Sequence, residues 1–354
     1  MIDFRYHVVS LIAVFIALAV GIVLGAGPLR GKLSDTLEGQ VAELGAERND
    51  LREQVQLNDR RAQAKDELIA SLSTSVTAGV LDGAAVAVVG LPGGDADLVD
   101  DLAGSLLDGG AQSVTRVEVE PSWEDDGARA ELVAELAEDL GTQDDPAQVL
   151  AAVLAGSDAS GSSPEARSAA TRLEQAELIS VQVTGGSLDQ GLPGAVDLPA
   201  QEVVVLVGGG LGGQRPAQPD PASRLQGRLD LVRALVETDV ALCVFGAGTE
   251  TWQDRAADAE DLIVAAVRAD GELAVEVSTV DNLESAAGQL SATWAAAWAL
   301  QGDVGHYGLA ADADEAAPAS PSARDSQGES LGPAGDPARS RQELDSSGSE
   351  SVAP

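Results

Sequence analysis

The sequence predicts an α/β protein held on a membrane anchor: one transmembrane helix, a coiled coil, a mainly parallel-sheet Rossmann-like domain and a disordered tail. Three observations predict it. Residues 7–27, HVVSLIAVFIALAVGIVLGAG, carry no ionisable side chain after His7. Residues 33–76 repeat apolar positions every three and four residues. Beyond residue 79, short apolar runs alternate with amphipathic stretches.

The apolar run spans roughly 30 Å as a helix, about one hydrocarbon core. A signal-peptide core is shorter, about 7–15 residues, and ends at a small-residue cleavage site. Gly25-Ala26-Gly27 is small enough, but Pro28 follows at once. The run is apolar on every face, so it is not a core helix with one buried stripe. Residues 1–32 are therefore read as a retained N-terminal anchor. Arg5 lies on one side, Arg30 and Lys32 on the other. Those charges slightly favour the opposite orientation, but long domains cross regardless of charge. The acidic, nearly thiol-free remainder suits the outside, so the expectation is a single-pass protein of the cell membrane with a cytoplasmic N-terminus. Ala13, Ala17, Gly21 and Gly25 recur every four residues, a column that lets two helices approach closely.

Residues 33–78 read as a coiled coil. Val41, Val55, Ala62, Ile69 and Val76 share one heptad position, and Leu37, Leu44, Leu51 and Leu72 share the other. Arg48, Asn58 and Lys65 interrupt the seam, and polar residues there fix register at a cost in stability. Together with the glycine column, this predicts a parallel homodimer through anchor and coiled coil.

Residues 79–309 form the extracytoplasmic α/β domain. AAVAVVGLPG reads as a buried strand and turn, DADLVDDLAGSLLDGG as a helix capped by Asp95 and closed by Gly109, and SVTRVEVE as a strand. That is a βαβ unit. Residues 128–154 and 163–176 read as helices. LISVQVTG, EVVVLVGGG, VALCVFGAG and LAVEVST read as strands, with helices over 222–237, 254–269 and 282–300. Strands alternating with helices imply a largely parallel sheet covered on both faces. Residues 310–354 lack large apolar side chains almost entirely and read as a disordered acidic tail.

The charge excludes one class of partner. A chain of net charge −37 repels phosphates, so no nucleic acid is expected. The single cysteine, Cys243, excludes an internal disulfide and sits in a buried-looking strand. Gly208-x-Gly210-x-x-Gly213 has the spacing of a dinucleotide fingerprint, but a proline-rich loop follows instead of a helix. GLPGGD at residues 90–95 lacks the Walker lysine. The histidines, His7 and His306, form no set with a nucleophile, and no Gly-x-Ser-x-Gly elbow is present. No cofactor and no enzymatic activity are expected.

MIDFRYHVVSLIAVFIALAVGIVLG, the heptads, VSTVDNLES and the closing GHYG resemble, in that order, the mycobacterial copper transport protein B family, over residues 1 to about 309. The resemblance implies an actinobacterial envelope protein of copper homeostasis, with a proposed pore-forming role in efflux and copper as the bound or transported species. Cu(I) prefers thiolate and thioether ligands. Cys243 and His306 are then the metal candidates, since no Met-x-x-Met or Cys-x-x-Cys pair exists. Ser10 is the one hydroxyl in the apolar run 7–27, so a water-filled path would need many subunits. The residues equally suit a non-enzymatic dimeric scaffold that docks envelope or cell-division proteins.

Overall fold

A computed structural model describes residues 4–26, 28–158, 161–185, 201–208, 221–247 and 263–321. The chain divides after Lys65 into two units. The first unit is helical. Helix α1 (Phe4–Ala26) contains one stretch, Phe4–Val23, long and apolar enough to cross a membrane, with mean hydropathy 2.5 and no side chain covered by protein. Helix α2 (Pro28–Thr77) has 50 residues. Val41, Leu44, Leu51, Val55 and Leu72 lie exposed along it. A coiled coil needs a second helix against this stripe, and the single chain supplies none among the described residues.

The second unit is built on a seven-stranded sheet. Its elements follow in chain order: β1 (Ala85–Gly90), α3 (Ala96–Asp108), β2 (Ser113–Val119), a 3-10 turn (Pro121–Glu124), α4 (Asp126–Leu140) and α5 (Pro146–Ala155). A small hairpin of β3 (Ser157–Asp158) and β4 (Gly161–Ser162) precedes α6 (Pro164–Gln175), β5 (Ile179–Gly185), β6 (Val203–Val207), α7 (Pro221–Val236) and β7 (Ala241–Phe245). Last come α8 (Ile263–Ala269), a 3-10 turn (Leu273–Val275), β8 (Ser278–Val280), α9 (Ala286–Ala299) and β9 (His306–Tyr307). The spatial order is β5-β2-β1-β6-β7-β8-β9. All neighbours are parallel except β5, which pairs antiparallel with β2. Growth of the sheet reverses direction between β1 and β6, the switch point of a doubly wound fold.

Both faces are covered, which is why the central strands are apolar at every residue. On one face Ala87, Val89, Val204, Leu206 and Val244 pack under Leu136, Leu150, Leu173, Leu235 and Ile263 from α4 to α8. On the other, Val86, Val88, Val205, Cys243 and Phe245 pack under Leu102 and Leu106 of α3 and Ala292 and Ala296 of α9. The α9 alanines leave that helix no bulk between its backbone and the sheet.

The expected βαβ unit forms as read, with Asp95 accepting from Asp97 N and Gly109 closing α3. Three expectations are corrected. The single helix over 128–154 is two. Gly141 ends α4 in the left-handed region (φ 68°), and α5 starts afresh with Pro146 behind the cap Asp145. LAVEVST is not one strand: residues 273–275 form a 3-10 turn held by the Asp270 carboxylate, and pairing begins at Ser278. The tail boundary at 310 falls too early. Gly308 N donates to Glu315 O, Asp314 N to His306 O, and Trp298 Nε1 to Ala319 O at 2.7 Å, so residues 310–319 belong to the domain. Gly210, Gly213, residues 254–262 and the tail beyond 321 lie outside the described residues.

Candidate functional site

The two metal candidates do not converge. Cys243 on β7 pairs with Ser278, whereas His306 on β9 pairs with Thr279. Parallel partners share a face and consecutive residues alternate. Cys243 and His306 therefore point to opposite faces of the sheet. Cys243 is fully buried among Val and Phe, and burial pushes its thiol up to about 12. The thiolate that a metal needs is disfavoured there. His306 uses both ring nitrogens, Nδ1 with Thr279 Oγ1 at 3.0 Å and Nε2 with Ala274 O at 3.0 Å. The Ala274 carbonyl can only accept, so Nε2 carries the proton, and Thr279, itself accepting from Arg268 Nε, donates to Nδ1. Burial holds His306 below its ordinary 6.5, and the Arg268 cation adds to this against Asp314, Asp312 and the Ala274 carbonyl. No group of three or more His, Cys, Asp or Glu side chains stands together among the described residues.

What His306 joins is a clasp. Arg268 of α8, its side chain 3 % exposed, donates to Thr279 Oγ1, to Asp281 Oδ2 at 2.8 Å, to Tyr307 O at 2.8 Å and to Asp312 Oδ1 at 3.0 Å. Asp281 in turn accepts from Leu309 N and Ala310 N. Ser278 Oγ accepts from Gly305 N, and Ser285 caps α9. The two most recognisable blocks, VSTVDNLES and GHYG, are thus two halves of one hydrogen-bonded structure. Their residue types are explained by the closure of the sheet.

A second feature escaped the sequence reading. A cavity of about 200 Å³ opens at the carboxyl end of β1 and β2, beside the switch point. Leu91 and Pro92 follow β1; Trp123 and Glu124 follow β2; Arg224, Gly227 and Arg228 come from α7. Arg224 and Arg228 are each 6 % exposed. Arg228 Nη2 donates to Pro92 O at 2.7 Å and to Glu124 Oε1 at 3.3 Å. Glu124 Oε2 is buried, lies 3.8 Å from Arg224 Nη1 and accepts no hydrogen bond among the described residues. Arg129 sits over the Trp123 ring, 5.6 Å from its centroid. The available signal was SRLQGRLDL, two arginines four apart that share a helix face. A periodicity reading treats them as solvated.

Ala13, Ala17 and Gly21 are exposed on α1, and an added Cβ at Gly21 would meet nothing. Gly25 lies in α1 and Leu37 in α2, their side chains outside the described residues. Ala62 is exposed and Ile69 half-buried.

Fold and site together define a class: a doubly wound α/β domain, closed by a C-terminal clasp and preceded by a long helix and an apolar helix of membrane-spanning length. Within that class the chain belongs to the family described as copper transport outer membrane protein, MctB, which it matches over residues 1–318. It is similar to the copper transporter MctB of Mycobacterium tuberculosis and to that of Mycobacterium bovis, 27% identical to each over 331 residues, covering 87% of this chain and 96% of theirs. The family match ends within a residue of Ala319, where the clasp ends.

Proposed function

We propose that the chain is a single-pass, membrane-anchored envelope protein of copper handling, with its N-terminus in the cytoplasm and its α/β domain outside. The family match over residues 1–318 carries this reading. The role is non-enzymatic. The domain does not hold copper between Cys243 and His306, because their side chains leave opposite faces of the sheet. Past its first turn, residues 8–26 of α1 offer no polar lining beyond Ser10, so any pore is an assembly of several copies.

The test is cell-associated copper in the parent organism with and without this chain, at rising external copper. Loss of the chain should raise the copper content and lower the tolerated concentration. Equal copper content in both strains would refute the reading. Beside it, a Cu(I) titration of the full chain in detergent against a competing chelator should give the same curve for the parent, Cys243→Ser and His306→Ala. Tight binding lost in either variant would restore that residue as a ligand.

A second reading, a dimeric scaffold for envelope partners, is favoured by the exposed apolar stripe on α2. Unchanged copper content with a dimer intact would select it.

A further inference from the structure

We propose that the apolar stripe of α2 takes α2 of a second copy of this chain, parallel and in register, and that Glu47 and Asp66 of each copy fix the register by answering cations of the other. This rests on the stripe read above as an association surface and not on the copper reading.

The stripe is the first argument. Val41, Leu44, Leu51, Val55, Leu72 and Val76 stand exposed along α2. Apolar side chains at this repeat are covered when two helices supercoil, each knob entering a hole between four residues of the facing helix.

Charge is the second, and it names the occupant. Arg48 and Arg52 lie four residues apart, as do Arg61 and Lys65. Like charges at that spacing repel on a helix surface. None of these four cations has an acidic residue three or four positions away, and neither Glu47 nor Asp66 has a basic one. Among the described residues none of the six makes an ion pair within the chain. By contrast Arg116, Arg172, Arg233 and Arg268 of the α/β domain all reach carboxylates.

A second copy supplies what is missing. In a parallel pair, the residue just before a Val41-type position faces the residue five further on in the other helix. Glu47 of one copy then meets Arg52 of the other and lies beside its Arg48. Asp66 meets Arg61 of the other copy and lies beside its Lys65. Each repelling cation pair is answered by one acid from across the seam, and the two-fold doubles every contact. Asn58 faces its own copy, where one amide donates and the other accepts. Arg48, Asn58 and Lys65, which interrupt the stripe of a single helix, thus become register marks. A slip of one heptad loses every contact of Glu47 and Asp66 with these cations and sets Glu47 against Asp59.

Direction is the third. One residue separates α1 from α2. Copies anchored by α1 in one bilayer therefore start α2 from the same side, as a parallel pair requires.

The experiment uses the full chain in detergent micelles with Leu51→Cys, which in register lies opposite its own copy, within reach of a disulfide. Diamide is the oxidant and takes up the two electrons and two protons that a pair of thiols gives up. The parent, whose one thiol is the buried Cys243, should stay uncrosslinked. Leu51→Cys should crosslink to a dimer. Adding Glu47→Arg and Asp66→Arg should raise the chain concentration needed for half-crosslinking about tenfold or more. Adding Arg52→Glu and Arg61→Glu instead should raise it as well. The two charge variants, co-expressed, should crosslink to each other, which also shows that both still fold. Crosslinking unchanged by the reversals, or no recovery on co-expression, would overturn the register. A dimer by sedimentation that Leu51→Cys fails to crosslink would overturn the parallel alignment. If Leu44→Asp with Leu51→Asp abolishes the dimer while the charge reversals leave it intact, the stripe remains an association surface and this proposal alone falls.

Discussion

Gly308 is the residue on which the clasp turns. Its φ is 140°, and a Cβ there would sit 2.1–2.3 Å from the Asp281 carboxyl atoms. Gly308→Ala should destabilise the domain by about 2 kcal/mol or more, from strain and clash together. A urea midpoint unchanged from the parent would show that the clasp does not close this way. His306 makes a pH prediction. Its folded pKa lies below the ordinary 6.5, so the unfolded chain takes up the proton first as pH falls. The stability tied to neutral His306 is full above that value and is lost as pH drops toward the folded pKa. Melting temperature measured from about pH 7.5 to about pH 5 should fall more steeply for the parent than for His306→Gln. Parallel curves would discount His306 as the sensor. Cys243 was legible as buried, because VALCVFG is an apolar run. His306 was not legible as a core participant. Its partner Thr279 is 27 residues away, and no spacing rule connects them.

At the scale of elements, caps decided what periodicity could not. Residues 128–154 keep a helical pattern of apolar positions, yet Gly141, Asp145 and Pro146 between them stop one helix and start another. Those signals were visible, but the apolar period was given more weight than the punctuation. Asp145→Ala removes the bond to Ala147 N and should cost about 1 kcal/mol, read as a shift in urea midpoint without a change in slope. A change below a few tenths would mean that Pro146 alone sets the start. Helix α2 shows the opposite case. Its heptads were fully legible, and the helix forms over Pro28–Thr77, but among the described residues nothing in the single chain covers its stripe. Leu44→Asp with Leu51→Asp should turn a dimer in micelles into a monomer by sedimentation. A dimer that survives both changes would assign self-association to α1 or elsewhere.

For the whole molecule, strand positions were read from sequence but strand order was not. Alternation tells which residues pair with some neighbour, never which neighbour. β5 reads like every other strand, yet it turns antiparallel at the edge beside β2. The arginine cavity was equally hidden, since it is assembled from segments 136 residues apart. The domain boundary is a whole-molecule property too. A chain ending at 309 loses Asp312, Glu315 and the Ala319 carbonyl from the clasp, so it should melt below one ending at 321. Equal melting temperatures would return the boundary to 310. Arg268→Met leaves Asp281 and Asp312 without their buried cation and should cost about 3–5 kcal/mol.

The strand order also sets a timetable. β1 has to wait for β6, more than a hundred residues later, before the middle of the sheet can zip, and the last edge waits for residues 306–307. Contacts this distant in sequence form slowly. A ribosome must therefore release nearly the whole domain before it can lock. For a chain proposed to send this domain across a membrane behind α1, late locking keeps the polypeptide threadable while it is being exported.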